Sequence, residues 1–329
     1  MKILIEAECE KNYLAKCHEA LRTGLKATFD TRCFGKGYSG YREDFTNYRE
    51  IIDYVFPDDQ PDIIIVECQI APNLPERINY KGLSDIDIPK AIVLGDFWNV
   101  TDSVEHIESF IECLEGHGIS LILSYFPQPL EILKKYSKKI DIAFLPTCFD
   151  PSIFNSWNCP KQFDVGFLAA GTVEYTHFYP ERFQIHNLMR SQENFSYLWA
   201  QHPGWQQHTE IHPLVGKEFS KAINSCEIFI TTGGVLKNPQ PKYMEALASG
   251  VVLLADMPIG GPDIGLVNNV NFVEIQSENI LDQINYLINN KELCRQIAAN
   301  GYELAIQRHS CFIRAIEFHA ILRALNIYN

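Results

Sequence analysis

Lys242 and Glu245 stand three positions apart, directly after Pro241, in the segment Pro241-Lys242-Tyr243-Met244-Glu245-Ala246-Leu247-Ala248-Ser249-Gly250. Upstream lies the run Ile228-Phe229-Ile230-Thr231-Thr232-Gly233-Gly234, and downstream lies Val251–Ala255, so strand, loop, helix and strand follow in order. Pro241 suits a first helical turn and Gly250 a C-terminal stop. The free N–H groups near Lys242, Tyr243 and Met244 then form the positive end of a helix, which favours an anion by about 0.3–1 kcal/mol. Lys242 adds charge-assisted hydrogen bonds to a phosphate, and Glu245, one turn on, is placed to accept from a ribose diol. Gly234, in the loop before the helix, is counted with these donor-binding residues; the plainer reading makes both charges helix-surface groups and gives the small residues the task of tight helix–sheet packing.

The elements that must position these groups are legible as an α/β rhythm over 329 residues, a length that suits two domains. Apolar runs at Lys2–Glu6, Asp62–Cys68, Pro89–Leu94, Leu121–Ser124 and Ile142–Leu145 predict strands. Tyr13–Thr23, Tyr48–Val55, Val104–Leu114 and Leu130–Tyr136 predict helices between them. Runs such as Ile63-Ile64-Ile65-Val66 are apolar throughout, the pattern of parallel strands covered on both faces. A proline-rich stretch, Pro146 to Pro160, reads as a connector. The rhythm then restarts with strands at Phe163–Leu168, Phe195–Ala200, Ile228–Thr232, Val251–Ala255 and Asn271–Ile275. Helices are expected at Pro180–Arg190, Lys217–Ser225, Lys242–Ala248 and Ile280–Asn289, and from about Glu292 to Leu325. The expected domains are 1–150, 151–310 and a last helix, 311–329, packing back on the first. Both larger domains are Rossmann-like and doubly wound, with a ligand cleft between them.

Charge and composition narrow the partners. The 28 Lys and Arg against 41 Asp and Glu give a net charge of −13, a field that repels nucleic acid but leaves room for a small anion held by local donors. The ten cysteines show no C-x-x-C pair, so zinc and dithiol chemistry lose their usual signature. No Walker A or H-E-x-x-H motif stands in the sequence. Without a signal-like start or an apolar run near 20 residues, the sequence reads as cytoplasmic. Lys134-Lys135-Tyr136-Ser137-Lys138-Lys139 offers contact with an anionic membrane surface, the blander account being a solvated helix end.

The segment Pro241–Ala255 resembles the sugar-nucleotide segment of GT-B-fold glycosyltransferases, and in particular a CgeB-like group of the family 1 and 4 type. Asp164-Val165-Gly166-Phe167-Leu168 followed by Tyr179-Pro180-Glu181-Arg182 is similar to the opening of that group's C-terminal domain. His309-Ser310-Cys311 with Arg314-Ala315 is similar to its last conserved helix. The resemblance covers roughly residues 140–325. It implies transfer of a sugar from a nucleotide-diphosphate donor, held by the C-terminal domain, to an acceptor hydroxyl held by the N-terminal domain, with no metal or other cofactor. Glu245 would bind the ribose, and Lys242 with the N–H groups near Tyr243 and Met244 would hold the diphosphate.

The sequence departs from the family 4 pattern E-x7-E at Lys237, where the first glutamate would stand. Lys237 is then a second phosphate ligand or a solvated loop residue. Arg182 is a diphosphate clamp or a surface helix residue, and His202, after strand Phe195–Ala200, is a loop histidine that would approach the donor. An inverting enzyme needs a general base in the N-terminal domain. Asp96, after the apolar run Ala91–Gly95 and beside Phe97 and Trp98, is the first candidate, with Glu6 and Glu8 as rivals. Two other readings stay open: a nucleotide-sugar epimerase, and a non-catalytic nucleotide-sugar-binding protein of the same fold.

Overall fold

The computed structural model describes residues 1–9, 17–70, 80–96, 104–169, 177–201, 214–275 and 278–328. They fall into two compact units. The first combines Met1–Lys11, Arg22–Pro146 and Arg314–Asn329, and the second combines Asn12–Leu21 and Thr147–Ile313. Among the described residues no helix is long and apolar enough to cross a membrane.

The first unit is built on a parallel sheet of β1 (Lys2–Glu6), β2 (Asp30–Phe34), β3 (Ile63–Ile70), β4 (Lys90–Asp96), β5 (Leu121–Ser124) and β6 (Asp141–Phe144), in the order β2-β1-β3-β4-β5-β6. The helices α1 (Cys17–Thr28), α2 (Tyr48–Val55), α3 (Val104–Gly116) and α4 (Gln128–Leu133) alternate with these strands. Residues Ile3–Ile5, Ile63–Val66 and Ala91–Leu94 are almost wholly buried, as both-face coverage of a parallel sheet requires. One core joins strand residues to Ile51, Ile52, Ile107, Phe110 and Leu114 from the helices.

The second unit holds the parallel strands β7 (Phe163–Ala169), β8 (Tyr197–Gln201), β9 (Cys226–Thr231), β10 (Val252–Ala255) and β11 (Val273–Glu274), in the order β11-β10-β9-β7-β8. Its helices are α5 (Pro180–Arg190), α6 (Lys217–Asn224), α7 (Pro241–Ala248), α8 (Ile280–Asn289) and α9 (Lys291–His309), followed by α10 (Cys311–Ala324). Each sheet is the Rossmann-like, doubly wound kind. In each, the strand order reverses once, between β1 and β3 in the first and between β7 and β9 in the second. Ligands of such sheets bind beyond the strand C-termini at that reversal.

Several elements differ from the sequence reading. α1 runs on to Thr28, past the expected end at Thr23, and residues 13–16 of the expected helix lie outside the described residues. β2 was not expected, because an edge strand of Asp30-Thr31-Arg32-Cys33-Phe34 carries polar side chains and has no apolar run. α4 starts earlier and stops at Leu133, leaving exposed Lys134, Lys135 and Lys138 in turns; Lys139 pairs with Glu115 at 2.9 Å. The long C-terminal helix breaks at Ser310, whose extended backbone (φ −64°, ψ 153°) forms a parallel bridge with Phe149.

Glycines set how closely β1 and β2 continue past their ends. Gly35 has φ +149°, and a Cβ there would lie 2.0 Å from the carbonyl oxygen of Ala7. Beyond it, the Cys9 N–H donates to the Lys36 carbonyl at 2.8 Å, keeping the two chains paired. Gly35→Ala should therefore cost on the order of 3 kcal/mol through backbone strain, read as a lower midpoint in urea unfolding. An unchanged midpoint would show that this approach is not required.

Candidate functional site

The reversal between β7 and β9 is where the second unit collects its charged groups. α7 follows β9 and runs from Pro241 to Ala248, with Ser249 as its last cap and Gly250 in the left-handed region at φ +69°. Its start is chemically open: Pro241 has no N–H, and the Gln240 side chain makes no capping hydrogen bond. The Tyr243 N–H is an exception to the expected donors, since it donates to the Gln240 carbonyl at 2.9 Å.

The two charges of this helix are not ordinary surface groups. Glu245 is 5 % exposed, and Lys242 is half-buried with its ammonium 5.8 Å from the Phe219 ring centroid. Burial pushes the Glu245 carboxyl up and Lys242 only partly offsets it; burial likewise pushes the Lys242 ammonium down, Glu245 opposing and Arg182 adding to the shift. Among the described residues neither side chain forms an ion pair or a hydrogen bond. Two buried charges left in this condition are costly in the empty protein.

Arg182, on α5 after β7, is buried rather than on the surface, at 4 % exposure. Its Nε donates to the Thr232 hydroxyl at 3.2 Å and its Nη2 to the Thr232 carbonyl, while its guanidinium carbon lies 3.7 Å from the Tyr179 ring centroid. Burial lowers its pKa, and Tyr179, Tyr243 and Asp256 oppose that shift. The arginine therefore ties α5 to the end of β9 and stands electrostatically next to Lys242.

Tyr243 and Gly234 are positioned by packing. The Tyr243 ring is fully buried and its hydroxyl donates to Asp256 Oδ1 at 2.6 Å. The same carboxylate oxygen accepts the Gly233 N–H at 2.8 Å. Gly234 has φ +73°, a Cβ there would stand 2.7 Å from both the Phe178 carbonyl and the Tyr179 ring, and the Val235 N–H donates to Phe178 at 3.0 Å. Met244 is buried at 3 % exposure. Lys237 is exposed in a turn at φ +49°. His202 lies outside the described residues, as do Phe97 and Trp98; Asp96 closes β4 opposite Ile70.

Sequence reasoning missed Asp256. It follows β10 at the strand C-terminus, a position that the topology makes chemically relevant, and it joins the glycine loop to α7. Buried side-chain atoms without a partner gather here as well: Thr231 Oγ1, Asn238 Oδ1 and Asp256 Oδ2, from the end of β9, the β9–α7 loop and the end of β10. Among the described residues none of these three atoms has a hydrogen-bond partner. The run Gly35-Lys36-Gly37-Tyr38-Ser39-Gly40 has the spacing G-x-G-x-x-G. It leads into turns, and the next helix, α2, is closed by a capping box of Asn47 and Glu50, so no free helix end follows it. The loop Pro258–Asp263 forms turns.

With this geometry in hand, comparison with known proteins becomes informative. Residues 180–320 match a family model described as glycosyl transferase-like. No curated protein matches the chain by sequence. Among solved structures, HepE from Anabaena in complex with UDP superposes with a TM-score of 0.64 at 14% identity, over 98% of this chain and 100% of its own. Sucrose-phosphate synthase from Thermosynechococcus elongatus gives 0.62 at 9% identity, over 99% of each chain. A glycosyltransferase from Rickettsia africae gives 0.63 at 12% identity, over 98% of each. The fold is GT-B. Within the GT-B fold the matched segment contains α5, β9 and α7, and therefore Arg182, Lys242 and Glu245.

Asp256 gives a direct check on how this site is held. Tyr243→Phe removes the hydroxyl from a half-buried carboxylate that has one oxygen without a partner among the described residues, and should cost about 1–3 kcal/mol in urea unfolding. A stability within error of the parent would show that the tyrosine hydroxyl is dispensable.

Proposed function

We propose that the protein is a cytoplasmic glycosyltransferase that moves a sugar, a hexose in the first instance, from a nucleoside diphosphate donor to an acceptor hydroxyl, as the resemblance to the CgeB-like group implies. The observation that carries this reading is the open start of α7 with the unpaired, buried Lys242 and Glu245 at the strand reversal of the second sheet. A nucleoside diphosphate supplies what both lack: phosphate oxygens for the ammonium and the helix amides, and ribose hydroxyls for the carboxylate. The matching family model over 180–320 supports the same activity class. HepE was solved with UDP and with UDP-glucose, which makes uridine the first base to try.

Chemically, the bond between the anomeric carbon and the diphosphate oxygen breaks as the acceptor oxygen attacks, and negative charge grows on the departing diphosphate. Lys242, the Met244 amide and Arg182 behind them are the electrostatic stabilisers of that charge, the Tyr243 N–H being held by the Gln240 carbonyl. On this reading the reaction needs no metal, and turnover should survive a chelator. Gly234 lets the loop pass close to Tyr179; His202, which the sequence reading assigns to the donor, lies outside the described residues. The first unit holds the acceptor, with Asp96, Glu6 and Glu8 as the carboxylates from which the base is drawn.

Calorimetry and thermal shift with UDP, GDP, ADP and TDP test the donor site. A ligand at 100 times its dissociation constant adds about 2.7 kcal/mol to stability. One of the four should bind, Lys242→Ala should weaken it at least tenfold, and Glu245→Ala should weaken the nucleotide more than pyrophosphate. No binding by any of the four would overturn the proposal. Binding with donor alone converted to an isomer would favour an epimerase.

The pH dependence has a definite sign. Burial depresses the Lys242 pKa, so the ammonium loses its proton at lower pH than an ordinary lysine. Diphosphate affinity should therefore fall through the mildly alkaline range, and Lys242→Arg should remove that fall. An affinity flat to the range of an exposed lysine would contradict the assignment.

A further inference from the structure

The second unit has another opening, at the end of its sheet away from the start of α7. An open pocket of about 390 Å³ is bounded by the connector before β7, the starts of β9 and β10, and one face of α9. About 13 Å of strand separates Glu227, the second residue of β9, from Thr231 at its C-terminal end, and the start of α7 lies beyond that. Gly250 keeps the floor clear: it has φ +69°, and a Cβ there would stand 3.4 Å from the Ser156 side chain. On α9 the lining positions 294, 298 and 302 recur every fourth residue, so Cys294, Ala298 and Tyr302 share one helix face.

The connector wall is held in place by the rest of the unit. Trp157 Nε1 donates to Ser220 Oγ at 3.0 Å, the Cys159 N–H donates to Asn224 Oδ1 at 2.9 Å, and Lys161 Nζ donates to the Asn224 and Cys226 carbonyls at 2.8 and 2.7 Å. An ammonium has three N–H donors, so Lys161 keeps one to offer. Glu227 is near enough to Lys161 to hold its charge, opposing the burial that lowers the lysine pKa. Glu227 itself is half-buried, and among the described residues its carboxylate makes no hydrogen bond and no ion pair within 4.0 Å. The Ser156, Asn158 and Tyr302 side chains also make no hydrogen bond among those residues. Arg295, on the α9 side, pairs with Glu292 at 2.5 Å and adds a second cation.

The mixture of signs selects the ligand. A simple anion meets the Glu227 carboxylate, a simple cation meets Lys161 and Arg295, and a wholly apolar ligand leaves all three without partners. Each hydroxyl of a sugar both donates and accepts, so a sugar serves the carboxylate and the ammonium at once without bringing net charge. We propose that this pocket is a carbohydrate site separate from the one at α7. It holds a neutral hexopyranose ring, with hydroxyls on Glu227, Lys161 and Asn158 and the C–H face along Ala298, Ala299 and Tyr302. The volume falls in the range of small-ligand pockets, and the tied connector lowers the ordering cost of binding. A sugar here lies at the wrong end of the strands to be the donor; it is held and not transformed. The inference stands on this pocket alone and does not depend on the transferase reading.

The test titrates the full chain with the methyl α- and β-glycosides of glucose, galactose and N-acetylglucosamine, read by calorimetry and by amide hydrogen exchange. At least one glycoside should bind, slowing exchange in peptides spanning 156–161 and 294–302 and leaving 232–246 unchanged. Ala299→Trp, which fills the pocket from an exposed position, should abolish that binding, and Glu227→Ala should weaken it about tenfold or more. Saturating UDP and the variant Glu245→Ala should leave it as it was. Urea midpoints establish that the variants are folded. Failure of all six glycosides to bind, binding untouched by Ala299→Trp, or slowing confined to 232–246 would overturn the proposal. So would a site that takes inorganic phosphate or glycine in their place. Failure of every nucleotide to bind would sink the transferase reading and leave this site standing.

Discussion

An ammonium and a carboxylate drawn largely out of water on one turn of helix, with no hydrogen-bond partner for either among the described residues, is the constraint on which the second unit turns. Lys242 and Glu245 bury most of their surface, and no hydrogen bond among the described residues compensates them. Desolvation alone pushes each towards its neutral form. Such a pair at the start of an uncapped helix is what a ligand with both phosphate and hydroxyl groups would complete, as the proposed function has it. The rest of the unit holds that helix end still: Arg182 grips Thr232, Asp256 ties Gly233 to Tyr243, and Gly234 allows the loop to lie against Phe178.

Both sheets reverse strand order once, and both place carboxylates there, but the two reversals are furnished differently. In the second unit the groups are cationic and amide-rich, suited to an anion. In the first they are aromatic and acidic, with Glu6 against Tyr48 and Tyr80. A net charge of −13 does not bar the proposed diphosphate, because the favourable field is local, made by one helix end, the half-buried Lys242 and the buried Arg182.

Much of this was legible in the sequence because buried parallel strands leave unbroken apolar runs. Ile63–Val66, Ala91–Leu94 and Val252–Ala255 are strands as expected, and Pro241 and Gly250 bracket α7 as their backbone preferences dictate. What stayed hidden follows from tertiary context. The polar edge strand β2 has no periodic signature, since its pairing with β1 is what makes it a strand. Asp256 is a lone carboxylate after a strand until the fold brings Tyr243 and Gly233 to it. Arg182 reads equally as surface or site, and only packing against Tyr179 and Thr232 buries it.

Amide hydrogen exchange across α7 tests the central claim most directly. Added UDP, or the nucleoside diphosphate that binds, should slow exchange in peptides spanning 240–246 and in the loop 232–238, while the opposite ends of the same strands stay unchanged. Slowing confined to other parts of the chain, with the start of α7 exchanging as before, would contradict the account.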